Sequence, residues 1–391
     1  MPKRSLAIFI PKIGIYSEVW AQRQAKSFDR FDGTFLAWEA EIPQRWRPEN
    51  EPIIISKPWS FNRLVASLLN RFPLLQKLID RLETRSITAA LNSKHFDAAI
   101  CHFGWTSARA HSALAKTNIP YLTILHGLDL SDSQLFTKEG KATEYFKKLI
   151  ESLVNSDGII VVGSHMKELL AKHVPEIPPE KYHCIPCGAP VDQFRTNRIA
   201  DRTDDEPLRI VSVGRLFEGK GISDSIRAIS IARKNGARIE FSIVGEGAQR
   251  NELEQLVERL ELQSAITFCG SLNPEQVRES LSKHHLFLQP SKKAPNGWVE
   301  GFGVSITEAM AAGLPVIATR SGGIPDQVRH EADGVLVEEG DVSSIAKNIE
   351  RLYRDESLRR SMAASARERA EQFDSQKLAR ELQAILIESC D

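Results

Sequence analysis

The chain has 391 residues, 42% of them hydrophobic and 26% charged, and its 51 basic and 51 acidic residues leave no formal net charge. These proportions exclude a disordered or fibrous protein and give no reason to expect a nucleic-acid partner. The length exceeds what one hydrophobic core usually organises, so we expect two domains. Because no run of about 18 apolar residues occurs and the N-terminal apolar stretch is short, we expect a cytoplasmic protein. The five cysteines are odd in number and widely spaced, which favours reduced thiols.

Short apolar, often β-branched runs alternate with longer segments of helical pattern along the whole chain. This alternation predicts parallel sheets covered by helices on both faces, an α/β fold. The predicted strands of the first half are 6–10, 53–55, 98–103, 121–125, 159–162 and 182–185. Those of the second half are 208–213, 239–244, 266–268, 286–288, 316–318 and 335–337.

The two sets of strands predict two Rossmann-like, doubly wound domains, at residues 1–190 and 208–372. Residues 191–207 are the predicted linker, and residues 373–391 form a C-terminal helix that the sequence does not place. Ligands of such sheets bind beyond the carboxyl ends of the strands. We therefore expect loops of both domains to face an interdomain cleft.

One helical segment departs from this alternation. Between residues 59 and 86, apolar side chains recur at helical spacing, basic residues occupy other positions, and Pro73 predicts a kink or break. The chain up to Arg195 has 25 basic and 20 acidic residues, against 26 and 31 in the remainder. Two interpretations stay open: the segment covers the first sheet, or it lies peripherally on an anionic membrane at its inner face.

Two turns of the first half follow predicted strands. His126, Gly127 and Asp129 come directly after strand 121–125, and a histidine followed by a glycine at a strand end is expected to point into the cleft. The turn after the first strand is expected to face the same cleft and contains Gly14, Ser17 and Glu18.

In the second half, strand 208–213 leads into a glycine-rich turn with two cations. Arg215 follows at once and Lys220 comes five residues later, a spacing suited to the two phosphates of a diphosphate. The turn is not a P-loop, because Gly221 occupies the position of the Ser or Thr that would hold magnesium. The next strand ends in a Gly-Glu-Gly turn in which Arg250 replaces the third glycine of a dinucleotide fingerprint. An NAD-dependent oxidoreductase is therefore disfavoured.

Residues 296–313 carry the strongest signal of a binding site. A glycine-rich turn leads into a helix predicted to begin near Val304 and to stop at Gly313. Glu300 lies in the turn and Glu308 just over one turn into the helix. Free N–H groups at a helix start attract anions, and here they are expected from Phe302, Gly303 and Val304. Carboxylates beside an anion site predict a nucleotide sugar, with phosphates at one end and hydroxyls at the other; the alternative is a surface helix with two solvated glutamates.

No D-x-D pattern occurs, so a divalent ion has no evident ligands. Arg215, Lys220 and the helix start then have to supply the positive potential that stabilises a departing diphosphate. We therefore expect a metal-independent reaction and no cofactor beyond the nucleotide-sugar co-substrate.

Taken together, the motifs of the second half resemble glycosyltransferase family 4, retaining enzymes of the GT-B fold. They are G-R-x-x-x-x-K-G at 214–221, V-G-E-G at 244–247, Q-P-S at 289–291, E-G-F-G-x-x-x-x-E-A-M-A-x-G-L-P-V-I-A-T at 300–319 and G-G-I-P-D at 322–326. The first half matches more loosely, through H-G-x-D at 126–129, C-H-F-G at 101–104 and the turn at 17–18. That pattern is similar to exopolysaccharide-assembly members of the colanic acid type.

The resemblance implies roles for individual residues. Arg215 and Lys220 would bind the donor diphosphate, Glu308 the ribose hydroxyls, and Glu300 the transferred sugar, with the backbone of Phe302, Gly303 and Val304 nearby. His126 and Gly127 would contact the donor sugar from the first domain, and Gly14 would approach the phosphates. The nucleotide base would lie near Leu272, and the residues on the acceptor side would be Ser17, Glu18 and Asp129. Two positions depart from the family pattern, Asp326 for the usual glutamate and Cys187 for the usual asparagine.

These inferences predict a retaining, metal-independent hexosyltransferase. It would move a hexose from a nucleotide-diphosphate sugar to a hydroxyl, on a saccharide or lipid-linked saccharide in polysaccharide or glycolipid biosynthesis. No residue is a convincing covalent nucleophile, so front-face attack with the leaving phosphate as base is the expected route. A nucleotide-sugar epimerase or hydrolase on the same fold, and a non-catalytic nucleotide-sugar sensor, are the alternatives.

Overall fold

A computed structural model describes residues 2–13, 19–40, 50–55, 73–195, 202–203 and 205–390. The chain forms two compact units. The first comprises Met1–Val162, Met166–Ile185 and Leu378–Asp391, and the second comprises Gly163–His165 and Pro186–Lys377. The C-terminal helix, Ser375–Cys390, thus lies mostly in the first unit, where the Gln383 amide oxygen accepts the N–H of Arg30 at 2.8 Å.

The first unit contains a parallel sheet of seven strands in the order β3-β2-β1-β4-β5-β6-β7. The order reverses between β1 and β4, as in a doubly wound sheet. The strands are β1 Arg4–Ile13, β2 Phe31–Ala40, β3 Ile53–Ile54, β4 Ala98–His102, β5 Tyr121–Leu125, β6 Gly158–Val161 and β7 Tyr182–Cys184. The helices of this part of the chain are Val19–Lys26, Pro73–Asn92, Gly104–Thr117, Asp132–Leu135, Glu144–Asn155 and His165–His173.

The second unit contains a parallel sheet of six strands in the order β10-β9-β8-β11-β12-β13. The order reverses between β8 and β11. The strands are β8 Leu208–Val213, β9 Ile239–Val244, β10 Ile266–Gly270, β11 Leu286–Gln289, β12 Val316–Thr319 and β13 Gly334–Val337. The helices are Val191–Phe194, Ile222–Lys234, Arg250–Arg259, Pro274–Ser282, Val304–Ala311, Ile324–Gln327, Val342–Arg354 and Glu356–Ala370. The predicted fold class, two doubly wound α/β sheets, is confirmed.

Every strand that the sequence predicts is present in the structure. The structure also contains β2, which the sequence pattern did not predict. Its Asp32-Gly33 pair is typical of a turn, whereas the structure places both residues inside the strand. A Cβ at Gly33 would come within 2.7 Å of the side chain of Ile8, which belongs to the paired strand β1, so the glycine leaves room for Ile8. Gly33 is therefore required for close packing between the two strands and not for a turn.

Each sheet is buried between layers of helices. One apolar cluster of the second unit includes Phe241, Leu286 and Ile349, and the other includes Phe287, Met310 and Val316. Phe287 points to the opposite face from Leu286, as adjacent strand residues must. The continuous apolar runs of the sequence follow from this burial on both faces.

The segment of basic helical pattern is described only from Pro73 onward; residues 59–72 lie outside the described residues. Pro73 begins the helix Pro73–Asn92, as a proline at the first helical position can. Near its end, Ile87 and Leu91 are buried in the core of the first sheet, whereas Lys77 and Arg81 are exposed. Within the described ranges, no helix is both long and apolar enough to cross a membrane.

Candidate functional site

Strands β8 and β11 are neighbours at the point where the second sheet reverses its order, and the predicted diphosphate turn follows β8. The Gly-Glu-Gly turn after β9 packs directly on it. A Cβ at Gly245, whose φ is +138°, would lie 1.9 Å from the Gly214 carbonyl oxygen. That glycine is therefore required by close backbone approach, which gives the Gly-Glu-Gly turn a structural role.

Lys220 and Glu300 form a buried ion pair at this switch point. The Lys220 ammonium lies 2.5 Å from the Glu300 carboxylate, and the two side chains are 13% and 7% exposed. Arg215, by contrast, is exposed, and its guanidinium lies 5.2 Å from the centroid of the Phe217 ring. The structure thus brings Lys220 and Glu300 into contact, and Arg215 lies in the same turn as Lys220.

Two further polar side chains hold the same oxygen of Glu300. The Gln289 amide, at the end of β11, donates to it at 3.0 Å, and the Ser291 hydroxyl donates to it at 3.2 Å. Gln289 also accepts from the hydroxyl of Ser305, in the first turn of the helix Val304–Ala311, at 2.9 Å. Both Gln289 and Ser291 belong to the Q-P-S motif, whose residues were not predicted to contact Glu300.

An aromatic pair covers the glycine before Lys220. The Phe217 and Trp298 rings meet edge to face with centroids 4.7 Å apart, and the Lys220 ammonium lies 5.5 Å from the Trp298 ring centroid. A Cβ at Gly219 would come within 2.4 Å of Trp298. The absence of a side chain at Gly219 therefore lets Trp298 pack over Lys220, a contact that no local sequence pattern indicates.

The start of the helix Val304–Ala311 corrects one expectation. The Gly303 N–H, predicted to be free for an anion, donates to the Gln327 side-chain oxygen at 2.9 Å. The Gln327 amide nitrogen in turn donates to the Gly303 carbonyl and the Thr307 hydroxyl. The N–H groups of Val304 and Ser305, in contrast, donate to no other described group.

Glu308 lies in the same helix and is 9% exposed. Phe302 is buried, and its ring packs 5.6 Å from that of Phe373. The helix ends at Ala311, and Gly313 follows with a φ of +81°, as the predicted stop signal requires. Leu272, the predicted base contact, lies in the loop after β10 and packs partly buried against the apolar cluster around Val244.

The two residues that depart from the family pattern, Asp326 and Cys187, both lie in the second unit. Asp326 accepts hydrogen bonds from the backbone N–H and the hydroxyl of Ser164, each at 2.6 Å. Burial, together with the nearby Glu300 carboxylate, raises the pKa of the Cys187 thiol to about 12. Cys187 is therefore a neutral thiol at neutral pH and an unreactive one.

In the first unit, Asp129 ties the H-G-x-D turn to the next strand end. One carboxylate oxygen accepts the His126 N–H at 2.7 Å and the other accepts the Gly104 N–H at 2.9 Å. Gly127 has a φ of +116°, which a residue with a Cβ rarely adopts. Burial raises the pKa of the Asp129 carboxyl to about 6, although both backbone bonds lower it. Asp129 was predicted on the acceptor side, whereas its described contacts fix the turn that carries His126.

Aromatic rings surround His126. The ring centroids of Trp20 and Phe103 lie 4.4 and 4.5 Å from that of His126, and its Nε2 lies 3.3 Å from Nδ1 of His102. Burial lowers the pKa of His102 to about 3, and burial together with His102 lowers the pKa of His126 well below its usual value. His126 is therefore a neutral hydrogen-bonding group at neutral pH and not a cation.

The predicted contacts Gly14, Ser17 and Glu18 lie outside the described residues. Among the residues that are described, no group of three or more His, Cys, Asp or Glu side chains is arranged to hold a metal ion.

Comparison with known proteins gives two matching families. Residues 36–193 match the family described as Glycosyltransferase Family 4, and residues 193–369 match Glycosyl transferases group 1. The chain is 30% identical over 304 residues to the amylovoran biosynthesis glycosyltransferase AmsK of Erwinia amylovora, covering 76% of this chain and 72% of the relative. It is 29% identical over 296 residues to the putative colanic acid biosynthesis glycosyltransferase WcaL of Salmonella typhimurium, covering 74% and 70%. The structure of HepE from Anabaena with UDP and glucose superposes with a TM-score of 0.73 at 16% identity, covering 98% of this chain and all of that one.

Proposed function

The chain belongs to the family 4, group 1 glycosyltransferases, and on that premise we propose that it transfers a hexosyl group from a nucleoside diphosphate sugar to a hydroxyl acceptor with retention. The observation that carries the proposal is the Lys220–Glu300 pair beside the exposed Arg215 at the switch point of the second sheet. Two cations and a carboxylate match the diphosphate and the hydroxyls of such a donor.

The chemistry follows from these charges. Arg215, Lys220 and the N–H groups of Val304 and Ser305 stabilise the diphosphate as the bond to the sugar breaks. The acceptor hydroxyl attacks from the face that the diphosphate leaves, and the departing phosphate takes its proton. Because the protein supplies this positive potential itself, the reaction needs no metal ion.

Glu300 and Glu308 bind the two sugars of the donor. We assign the hexose hydroxyls to Glu300 and the ribose hydroxyls to Glu308, on the helix that begins at the phosphate site. In the first unit, His126 is a neutral imidazole, a state that suits hydrogen bonding to a hydroxyl better than to a phosphate.

UDP-hexose is the donor to test first, and a growing polysaccharide is the proposed acceptor. HepE was solved with UDP and glucose, and AmsK acts in amylovoran biosynthesis, which support these two choices.

Membrane contact is a second proposal, for delivery of a lipid-linked acceptor at the inner face. Its support is the stripe of Lys77, Arg81 and Arg85, which recur every four residues on one face of the helix Pro73–Asn92 and are all exposed. Sedimentation with phosphatidylglycerol vesicles but not phosphatidylcholine vesicles would support it. Equal recovery in the supernatant with both would refute it.

The variant Arg215→Ala tests the transferase proposal. Losing a charged contact to the leaving diphosphate costs about 3 kcal/mol in the transition state, so turnover should fall by about two orders of magnitude. The matched control is Arg227→Ala, because Arg227 is also partly exposed but pairs with Asp224. Turnover is measured as UDP release from UDP-hexoses with saccharide acceptors, with and without chelator. Near-wild-type turnover of Arg215→Ala would refute the assignment, and loss of turnover in chelator would refute metal independence.

A further inference from the structure

The Gln289 side chain joins three pieces of the candidate site. It is 1% exposed, and it lies between the Glu300 carboxylate, the Ser291 hydroxyl and the Ser305 hydroxyl. These residues come from the end of β11, the turn before the helix Val304–Ala311, and the first turn of that helix. One amide therefore connects the sugar-binding carboxylate to the start of the phosphate-binding helix.

The hydrogen-bond partners fix which way this amide points. A carboxylate only accepts, so the NH2 group of Gln289 has to face Glu300. Its oxygen then faces Ser305, whose hydroxyl can donate. A flipped amide would lose the bond to Glu300, because a carbonyl oxygen cannot donate, whereas the Ser305 hydroxyl could bond to either end of the amide.

Donor binding places a conflicting demand on Lys220. In the structure its ammonium neutralises Glu300 in a pocket where both side chains are almost fully buried. A bound diphosphate requires the same ammonium and brings its own negative charge close to Glu300. A buried carboxylate that loses its cation is strongly destabilised unless other donors remain.

Two neutral donors remain on the oxygen that Lys220 contacts, the Gln289 amide and the Ser291 hydroxyl. The other carboxylate oxygen of Glu300 makes no hydrogen bond within the described part of the chain. Under the proposed function, this oxygen is the one left to accept from a hexose hydroxyl. Cys187, the thiol close to Glu300, stays neutral because its pKa is raised to about 12, so it adds no competing charge at neutral pH.

We propose that Gln289 is a positioning residue that holds the Glu300 carboxylate in place while Lys220 engages the diphosphate of the donor. This inference rests on the proposed function, since it assigns Lys220 to a diphosphate. Without the amide, Lys220 would remain bound to Glu300, and the diphosphate would have to compete for it.

A double-mutant cycle on UDP affinity tests the proposal. Gln289→Met keeps the length and volume of the side chain but removes its hydrogen bonds to Glu300, Ser291 and Ser305. A hydrogen bond to a charged group contributes about 1.5 to 3 kcal/mol, so the UDP dissociation constant should rise at least about tenfold. In a Glu300→Gln background the same change should have less than about a twofold effect, because no carboxylate then competes for Lys220.

Kinetics with a UDP-hexose give a second readout. Gln289→Met should raise the donor KM about as much as the UDP dissociation constant, with a much smaller fall in kcat. A role in packing alone would weaken UDP binding equally in both backgrounds. Equal effects in both backgrounds, or unchanged UDP affinity in folded Gln289→Met, would overturn the proposal.

Ser305→Ala provides a variant less disturbing to the fold, since it removes only the hydrogen bond to the amide oxygen of Gln289. It should give a smaller effect with the same dependence on Glu300, and an effect that persists in Glu300→Gln would count against the proposal. If the wild-type protein binds UDP and the cycle shows no coupling, only this inference fails. If the wild-type protein binds and turns over no nucleotide sugar, the proposed function fails with it.

Discussion

The Gln327 side chain is the support on which the start of the helix Val304–Ala311 depends. It is fully buried, accepts the Gly303 N–H, and donates to the Gly303 carbonyl and the Thr307 hydroxyl. Gln327→Met preserves the shape of the side chain but removes all three hydrogen bonds. The Gly303 carbonyl still accepts from the Ile306 N–H at 2.9 Å, so the main loss is the buried Gly303 N–H without an acceptor.

The expected loss of stability follows from this one buried donor without an acceptor. A buried donor left without a partner costs about 1 to 3 kcal/mol, so we expect the free energy of unfolding to fall by about 2 kcal/mol. With a urea dependence of about 2 kcal/mol per molar, the unfolding midpoint should fall by about 1 M. The UDP dissociation constant should also rise, because the N–H groups of Val304 and Ser305 are no longer fixed.

Urea unfolding followed by circular dichroism measures the first effect, and calorimetry measures the second. The matched control is Gln255→Met, on the exposed face of the helix Arg250–Arg259, which should change stability by less than about 0.5 kcal/mol. A midpoint for Gln327→Met no lower than that of the control would refute the reasoning that Gln327 supports the helix start.

Two further predictions concern glycine packing and a buried carboxylate. Gly219→Ala should displace Trp298, because the new Cβ would lie 2.4 Å from that ring. The displacement should shift the fluorescence of Trp298 and weaken UDP binding. Fluorescence emission and UDP affinity equal to those of the wild type would contradict this prediction. The Asp129 pKa rises from 3.8 in the unfolded chain to about 6 in the folded one, so the folded state binds more protons. The free energy of unfolding should therefore fall as the pH rises from 4 to 6, by about 3 kcal/mol at most. Asp129→Asn should remove that dependence, and parallel pH profiles of unfolding free energy for the two proteins would disprove it.

The local pattern of the sequence determined the two sheets. The runs 121–125, 208–213 and 239–244 coincide with β5, β8 and β9, because apolar β-branched residues bounded by turns leave few alternatives. The missed strand, β2, shows the limit of local pattern. Gly33 is typical of a turn in sequence, and only its contact with Ile8, across the sheet, explains why it lies within a strand.

Motif spacing also predicted Arg215 and Lys220 in one turn and Glu300 in another as site residues, in agreement with the family resemblance. What it could not give was their contact, because Lys220 and Glu300 are 80 residues apart and meet only where the order of the second sheet reverses. The supports of the site are equally non-local. Gln327 reaches Gly303 across 24 residues, and Trp298 reaches Gly219 only after two loops have folded together.

Asp129 shows most clearly the difference between what the sequence predicted and what only the tertiary structure revealed. Its place after a strand end and beside His126 indicated a group facing a ligand, and that part came from sequence. The structure adds that its carboxylate accepts the N–H groups of His126 and Gly104, which belong to neighbouring strand ends. Sequence thus determined which residues stand at the edge of each sheet. Tertiary structure decided which of them are used to hold the backbone, because unpaired N–H groups at buried strand ends must find acceptors wherever the fold provides them.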